Sequence, residues 1–453
     1  LEQFSGRLGG HWQAGQLRWQ QDRQQLVIQS PRMAWQPACL LRLTLCLDQL
    51  QTGDIELLLP EQESGSGPLL LGDLRLPLRI ELGQLQTGRV RYNQVEQLEQ
   101  LQLQAGWTGA GLRLDRLQLR QSGLEIRLQG QLQTTGDWPV QLSGEAGLDA
   151  LVQQPWTLAL AVGGSLARQL TLNVDSQGYF PGQIEGRLAI LDEQLPGQFR
   201  ISSPAFRVRP DLPESLTLQA LQLVAEGDLQ QGYQLQGSGQ FAARGGAIPL
   251  QLQGRLDARQ AELEQLLLQA GPQQQLQLQA SVRWDGSPVA SARLHWQDFP
   301  WQRLYPMAAP PAVSLQQLEA RLDYQEGHYQ GQLDAALKGP EGPFSVKTPF
   351  RGDLQQLVLP DLAVVAGQGR LAGELQAGFA RGIDWQARLT LSDLNPAYWL
   401  AELPGRLGGR LDSQGHWQDN RLQASAGLDL AGRLRNQPAR LQLQANGAGQ
   451  QWQ

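Results

Sequence analysis

Apolar and polar residues alternate along most of this chain, and the alternation constrains its fold more than any other feature. The stretch "LLRLTLCL" from Leu40 places a leucine at every second position. Similar runs begin at Leu101, Leu112, Leu124, Leu216 and Leu276. A period of two puts successive side chains on opposite faces of a strand, whereas helical spacing is nearly absent. We therefore predict an all-β fold, an antiparallel or meandering sheet with one apolar and one polar face.

The charge balance argues against one broad class of partner. The 453 residues include 37 Lys and Arg against 43 Asp and Glu, which gives a net charge of -6, and no block of like charge occurs. Proteins that bind nucleic acid through its phosphates concentrate basic residues on one surface. We therefore expect no nucleic-acid partner.

The two cysteines, Cys39 and Cys46, are too few to build a disulfide-dependent fold. The pattern favours two separate thiols, with Cys46 on the polar side of a strand. A single bridge in an oxidising compartment is the alternative. On the first interpretation both cysteines are dispensable.

Three stretches rich in Pro, Trp and Tyr interrupt the alternation, near residues 30–41, 296–311 and 392–404. Proline fits the first turn of a helix but halts a strand ladder. Ser30, Asp298 and Asp393 are candidate helix N-caps. We predict short helices or corners that plug or bend the sheet, with ordinary loops carrying aromatic anchors as the alternative.

The tripeptide Gly-Arg-Leu recurs at irregular distances. Its copies begin at Gly6, Gly186, Gly254, Gly369, Gly405, Gly409 and Gly432. Glycine permits a tight turn or a close approach of two backbones. We predict that each copy restarts a strand after a turn, with Leu facing inward and Arg outward. The variable spacing is unlike a fixed-period solenoid.

Residues that would carry catalysis are scattered. His11, His295, His328 and His416 lie far apart in the sequence and lack a cysteine or second histidine at metal-ligand spacing. No phosphate-binding loop or nucleophile elbow occurs. We therefore expect no enzymatic activity, no cofactor and no metal.

The apolar face of such a sheet must contact something, and three arrangements compete. The leucines can pack in a closed solenoid or sandwich, face lipid in an outer-membrane barrel, or line the groove of an open, curled sheet. Aromatic residues make up only 6%, fewer than the girdles of a barrel need. The candidate groove-lining residues are Leu41, Leu43, Leu45, Leu47, Leu101, Leu103, Leu112, Leu114, Ile126, Leu128, Leu172, Val174, Leu218, Leu223, Leu252, Leu276, Leu278, Leu389 and Leu391.

Four longer stretches carry a family resemblance. They are "FSGRLGGHWQAGQLRWQ" from Phe4, "MAWQPACLLRLTLCLDQLQTGDIEL" from Met33, "LPLRIELGQLQTGRVRY" from Leu76 and "TLSDLNPAYWLAELPGRLGGRL" from Thr390. In this order they resemble the periplasmic part of the AsmA-like family of bridge-type lipid transfer proteins. The resemblance covers most of the chain. It rests on the recurring alternating strands and on the order of the corners, and less on any single motif.

The resemblance implies a fold and a place in the cell. The fold would be a β-taco, an elongated curled sheet with an apolar groove and a few short helices, continuous over residues 1–453. The chain would be a fragment of a periplasmic protein of a Gram-negative bacterium. An N-terminal inner-membrane anchor and a C-terminal domain that docks on the outer-membrane barrel protein TamA would lie outside it.

The resemblance also implies two alternative functions. The first is transport of phospholipids between the inner and outer membranes through the groove. The second is a scaffold or chaperone role in assembling outer-membrane proteins and autotransporters with TamA, by pairing of β-strands.

Overall fold

The computed structural model describes residues 2–21, 24–58, 71–93, 95–148, 152, 154–307, 311–380, 382–418, 421–448 and 451–452. Strands account for 69% of the protein and helices for 4%, which confirms the predicted all-β class. The chain divides into two compact units. The first consists of Leu1–Pro210 with Leu218–Tyr233, and the second of Asp211–Thr217 with Gln234–Gln453.

The first unit contains strands β1 to β19. In chain order they are β1 (Ser5–Gly6), β2 (His11–Gln13), β3 (Gln16–Gln21), β4 (Gln24–Gln29), β5 (Arg32–Gln36), β6 (Thr44–Gln51), β7 (Ile55–Leu58), β8 (Arg79–Thr87), β9 (Val90–Tyr92), β10 (Val95–Leu98), β11 (Gln100–Trp107), β12 (Gly111–Gln121), β13 (Leu124–Gln133), β14 (Pro139–Gly147), β15 (Trp156–Ser165), β16 (Leu170–Gly178), β17 (Gly182–Leu188), β18 (Gly197–Phe206) and β19 (Leu218–Gly227).

These strands form two sheets. The main sheet runs β1-β2-β5-β6-β8-β11 and then through each following strand to β19. The small sheet has the order β3-β4-β7-β9-β10. The described pairings are antiparallel except β6 with β8 and β7 with β9, which are parallel.

A crease separates the two sheets and was not predicted. The chain crosses it from β2 to β3, β4 to β5, β6 to β7, β8 to β9 and β10 to β11, each time within one to three residues. Backbone hydrogen bonds join successive crossings: the N–H of Ser30 donates to the carbonyl of Gly15 at 2.8 Å, and that of Thr52 to Gln86 at 2.9 Å. At Gly88 a Cβ would stand 3.0 Å from the carbonyl carbon of Gly53, so the crossing needs glycine there.

The second unit contains strands β20 to β34. They are β20 (Tyr233–Phe241), β21 (Ile248–Leu256), β22 (Gln260–Gly271), β23 (Gln274–Arg283), β24 (Val289–Gln297), β25 (Ser314–Gln325), β26 (His328–Gly339), β27 (Gly342–Asp353), β28 (Gln356–Ala366), β29 (Gly369–Gly378), β30 (Ile383–Leu394), β31 (Gly405–Gln418), β32 (Arg421–Leu434), β33 (Gln437–Ala448) and β34 (Gln451–Trp452). From β21 onward each strand pairs antiparallel with the next.

The helices with described bounds are short 3₁₀ helices. Pro37–Arg42, Trp301–Arg303 and Pro396–Tyr398 lie in the three predicted stretches, and Glu214–Leu216 lies outside them. Of the predicted segment 296–311, residues 308–310 lie outside the described residues. No helix in the described ranges has both the length and the apolar character that crossing a bilayer requires.

Two of these corners pack onto the sheet of the second unit. The first cluster buries Ala243, Ile248, Leu268, Phe299 and Leu304, with Trp296 and Trp301 packed against it. The second buries Phe344, Val364, Ala366 and Leu394, with Tyr398 and Trp399 packed against it. The corners follow β24 and β30, which run in the same direction, so both clusters lie at the same end of the strands. The corners therefore pack onto this end of the sheet, here called the plugged end.

The predicted N-caps were wrong at all three positions. Ser30, Asp298 and Asp393 have φ values of 46°, 41° and 49°, so each occupies the left-handed region rather than the extended conformation of an N-cap. Short polar side chains tolerate this region better than most residues do. The cap of the last helix is Asn395, whose Oδ1 accepts hydrogen bonds from the N–H groups of Ala397 at 3.1 Å and Gly405 at 2.9 Å.

Replacing the observed cap is expected to loosen the corner. Asn395→Ala should lower the free energy of unfolding by about 1 kcal/mol, because two backbone donors lose their acceptor. Asn395→Asp keeps a side-chain oxygen and is the matched control. Urea denaturation of both variants measures the effect, and equal stability of Asn395→Ala and the parent would show that the cap is irrelevant.

The segment between β5 and β6 corrects two predicted lining residues. The alternation places Leu41 and Leu43 on the face of Leu45 and Leu47, but strand β6 begins only at Thr44. Leu41 belongs to the 3₁₀ helix and Leu43 has a φ of 53°, and their exposed fractions are 91% and 69%. The 3₁₀ helix starts at Pro37, within the stretch predicted as a short helix or corner, and continues through Arg42 into the run that the leucine spacing assigned to a strand.

The cysteines of this segment are joined. Cys39 and Cys46 form a disulfide that closes a loop of seven residues' separation, so the favoured prediction of two separate thiols was wrong. The sequence pattern placed Cys46 on the polar side of a strand and Cys39 in the predicted corner, and it did not bring the two together. The 3₁₀ turn brings the end of the helix back to β6.

We accordingly expect the bridge to contribute to stability. Closing so short a loop in the unfolded chain corresponds to about 2–3 kcal/mol. Chemical denaturation with and without reductant measures this difference, and the double variant Cys39→Ser/Cys46→Ser should have the stability of the reduced parent. If the unfolding midpoint of the parent protein is the same with and without reductant, the bridge does not contribute to stability.

The Gly-Arg-Leu copies restart a strand at only two positions. Gly369 and Gly405 begin β29 and β31, and the following Leu371 and Leu407 lie on the buried side. The copies at Gly186, Gly254 and Gly432 instead lie near strand ends, and Leu8 of the first copy is exposed in a turn. The predicted close approach of two backbones is observed at Gly369. A Cβ there would stand only 2.6 Å from the carbonyl oxygen of Asp393 on the neighbouring strand.

Candidate binding face

The apolar face of the first unit is a row of cross-strand partners. Directly paired residues of neighbouring strands point to the same face and lie about 5 Å apart. From β6 to β19 the row, here called the first apolar row, contains Leu50, Leu85, Leu103, Leu117, Leu128, Gly144, Leu160, Val174, Ile184, Ile201 and Leu223. It contains no polar side chain.

The second unit repeats the arrangement. Its second apolar row contains Leu250, Leu268, Leu276, Trp296, Leu318, Ala335, Val346, Val364, Leu371, Leu391, Gly409, Leu430 and Leu441. Each unit therefore presents an unbroken apolar track that runs across its strands, perpendicular to the direction of the chain.

Burial along the rows is incomplete. Leu128 is half-buried while Arg127 and Gln129 on either side of it are exposed, and most members of both rows have the same intermediate burial. Residues of a packed core are usually almost fully buried. The rows are thus protected on the flanks by neighbouring side chains and accessible from the front, which is the geometry of a surface that can receive an apolar ligand.

The predicted lining residues lie mostly on these faces. Leu103, Leu128, Val174 and Leu223 belong to the first row, and Leu276 and Leu391 to the second. Leu45 and Leu47 pair with Ile80 and Leu82, Leu101 and Ile126 both pair with Leu119, Leu112 with Leu132, Leu114 with Ala105, Leu172 with Val162, Leu218 with Phe206, Leu252 and Leu278 both with Leu266, and Leu389 with Leu411. Whether they contact a ligand stays a prediction.

The corners limit how much of the second row is free. Leu276 packs against the cluster around Ile248, and Leu391 against the cluster around Phe344. Both therefore contact protein at the plugged end of the strands. Leu278 and Leu389 lie on the same strands farther from the corners and are outside these clusters.

Aromatic rings on the apolar face cover glycines of the neighbouring strand, a feature that sequence reasoning missed. The ring of Phe199 covers Gly186, that of Phe350 covers Gly331, and Trp385 covers Gly415, so that a Cβ at each glycine would overlap the ring. The missing Cβ of each glycine leaves the space that the ring occupies. Only the strand register, which sequence alone does not define, brings each pair together.

The opposite face explains the abundance of glutamine. Gln131 donates a hydrogen bond from Nε2 to Gln141 Oε1 at 3.0 Å, Gln118 donates to Glu125 at 3.0 Å, and Gln183 to Asp175 at 3.1 Å. Each bond joins neighbouring strands. Exposed ion pairs such as Lys347–Asp334 at 2.6 Å accompany them and stabilise the fold little, because water screens both charges. The polar face is therefore a hydrated outer surface.

Cavities with a mixed polar and apolar lining lie at the strand ends opposite the corners. One of about 1000 Å³ is lined by Tyr324, Tyr329 and Arg351 among others, and one of about 810 Å³ by Asp384, Trp385 and His416 among others. In the second cavity His416 Nδ1 lies 2.6 Å from Asp384 Oδ1 and Nε2 lies 3.1 Å from Gln418 Oε1. Both ring nitrogens face acceptors, so the hydrogen bond to Asp384, followed by that to Gln418, raises the pKa of His416.

This pair makes stability depend on pH in a defined direction. Because the folded state has the raised pKa, the contribution is fully present below the unfolded-state pKa and is lost as pH rises through the folded-state value. Asp384→Asn should lower the pKa of His416 toward its ordinary value. An NMR titration of the His416 ring in both proteins measures this, and an unchanged pKa in the variant would contradict the pairing.

Comparison with known families identifies the chain. The model of the TamB N-terminal domain matches residues 62–309 and 288–453. The chain belongs to the TamB family. No curated protein and no solved structure matches it. Family membership confirms the resemblance noted from the sequence, and it implies a protein of the bacterial envelope.

The two TamB matches overlap over residues 288–309. This overlap contains β24 and the 3₁₀ helix Trp301–Arg303, the first corner of the second unit. In this TamB-family chain the matched region thus includes both plugged corners and nearly all of both apolar rows.

Proposed function

We propose that this TamB-family chain carries phospholipid between the inner and outer membranes, with acyl chains on the apolar rows and head groups in water. One observation carries the proposal: both rows are unbroken and apolar across successive strands, yet most of their members are only half-buried. No catalytic step is needed.

Energetics favour such a continuous face. A phospholipid has on the order of 30 methylene groups, and moving each from lipid to water costs ~0.8 kcal/mol, so free diffusion through water costs roughly 20 kcal/mol or more. A leucine-lined track replaces the lost environment at every step. A track without polar gaps avoids the barrier that one uncovered segment would impose.

The disulfide supports a periplasmic location. Disulfides persist in oxidising compartments, including the bacterial periplasm, and are rare in the reducing cytoplasm. A bridge that closes the only two cysteines of the chain fits this environment. Inner-membrane anchoring and contact with TamA belong to the same proposal by family resemblance.

A second function is supported by one strand edge. Among the described strands, β3 pairs only with β4 over most of its length and carries the exposed Trp19. An exposed edge can accept a strand from an unfolded barrel protein. This favours a scaffold role in outer-membrane protein assembly, for which the edge backbone and not the apolar face would be the working surface.

Native mass spectrometry of the purified chain tests the first function. We expect mass increments that correspond to phospholipids and that disappear after extraction with detergent. A chain that remains free of lipid after purification from lipid-rich membranes would contradict the transport proposal. Capture of an unfolded barrel segment that competes with a β3 peptide would support the scaffold instead.

A further inference from the structure

An exposed apolar tip lies at one end of the main sheet of the first unit. Leu40 and Leu41 belong to the 3₁₀ helix, Leu43 follows it, and Leu8 occupies the turn between β1 and β2. The indole N–H of Trp35 donates to the carbonyl of Leu8 at 2.7 Å and holds that turn against the end of β5. These four leucines, all exposed, are here called the apolar tip.

The tip is rigid as well as apolar. The disulfide Cys39–Cys46 ties the helix to β6, and Leu43 accepts a backbone hydrogen bond at its carbonyl from Arg79 at 2.8 Å. A pre-ordered loop loses little conformational entropy when it inserts into another phase. Exposed leucines on an ordered, crosslinked loop favour contact with something other than the core of this protein.

The charges next to the exposed leucines are basic, and the first acidic residues along the adjoining strands are Asp48, which accepts hydrogen bonds from Gln36, and Glu81, which pairs with Cys46. Arg7, Arg42 and Arg79 are exposed, and among the described contacts none of the three forms an ion pair. Residues 3–21 and 31–47 contain no Asp or Glu. Leucines that project beyond a ring of arginines fit a bilayer whose surface carries anionic head groups, since the apolar side chains enter the acyl region and the guanidinium groups meet phosphates.

The tip also adjoins the apolar face. It lies at the strand ends opposite the crease, because β5 ends and β6 and β8 begin beside it. Leu45 and Leu47 follow it directly and pair with Ile80 and Leu82, and Leu50 begins the first apolar row. An acyl chain at the tip is thus two residues from a continuous apolar surface.

We propose that the apolar tip inserts into an anionic lipid bilayer and delivers acyl chains to the first apolar row. The insertion stands on the tip's own exposure and charge, and the delivery rests on the proposed transport function.

Vesicle flotation tests the insertion. The purified chain is mixed with vesicles of phosphatidylethanolamine and phosphatidylglycerol, or of phosphatidylcholine alone. Leu41→Asn/Leu43→Asn should reduce binding to the anionic vesicles about 100-fold, since two leucines lose their apolar contact. Asparagine suits the left-handed backbone at position 43, so the variant keeps its fold. Leu354→Asn is the matched control, because Leu354 is 88% exposed in the turn between β27 and β28 of the second unit.

The arginines give an independent test. Arg42→Gln/Arg79→Gln should weaken binding to anionic vesicles about fivefold for each arginine and leave binding to phosphatidylcholine unchanged. Unchanged binding by the leucine variant, or an equal loss in Leu354→Asn, would overturn the proposal. So would failure of the parent to bind protein-free vesicles, which would indicate a protein partner.

Lipid content separates the tip from the transport proposal. If the parent binds vesicles through the tip but carries no lipid in native mass spectrometry, the tip stands and transport fails. If the leucine variant carries as much lipid as the parent after expression in cells, delivery through the tip is overturned although transport survives.

Discussion

An aspartate at Leu128 is expected to stop lipid transfer while the sheet stays folded. Leu128 lies in the middle of the first apolar row, with Leu117 and Gly144 as its cross-strand partners. An unpaired carboxylate there would meet the acyl chain of every lipid that passes. The cost of burying it is several kcal/mol, so transfer between donor and acceptor vesicles should fall roughly 100-fold or more.

The neighbouring residue supplies the control. Gln129 is on the same strand, exposed and on the opposite face, so Gln129→Asp should transfer lipid at the parental rate. Circular dichroism verifies that both variants keep their strand content. Normal transfer by a folded Leu128→Asp protein would contradict a continuous track. If Leu128→Asp unfolds, and a smaller apolar residue at the same position leaves transfer unchanged, Leu128 belongs to a packed core.

The loss of Phe344 is expected to be the most destabilising single truncation at the second corner. Its ring centroid lies 5.2 Å from that of Trp399 and 6.1 Å from that of Tyr398, and the side chain is buried among Val364, Ala366 and Leu394. Phe344→Ala removes these contacts and leaves a cavity. The free energy of unfolding should fall by about 3–5 kcal/mol.

Phe379 provides a matched substitution. It is half exposed in the turn between β29 and β30, so Phe379→Ala should change the free energy of unfolding by less than about 1 kcal/mol. Urea denaturation compares the two variants. If both lose the same stability, the corner does not anchor the sheet, and its aromatic residues must have another purpose.

The alternation predicted the strands and their faces, because a strand with one exposed face is determined mainly by the period-two pattern of its side chains. Leu128 and Val174 lie where period two placed them, and the Pro-Trp stretch at 392–404 forms a plugging corner. The same rule failed at Leu41 and Leu43. There the leucine spacing continued through a helix and a left-handed residue, and only the turn at Pro37 and the bridge reveal the break.

Two features of the site depend on distant pairing and could not be derived from local pattern. At the crease Gly15, Gly53 and Gly88 resemble ordinary turn glycines, and their common position follows only from which strands are neighbours. The cover of Gly415 by Trp385 likewise depends on the register of β30 with β31. Sequence periodicity specifies which side of a strand is apolar, but not which residue of another strand it meets.

Site-specific photocrosslinking in cells tests the central claim most directly. A photoreactive residue replaces Leu128 or Leu278 on the apolar face, and Gln129 or Gln279 on the polar face of the same strands serves as the control. The account predicts phospholipid adducts at the two leucine positions and background labelling at the two glutamine positions. Equal labelling on both faces, or adducts at the glutamine positions alone, would contradict it.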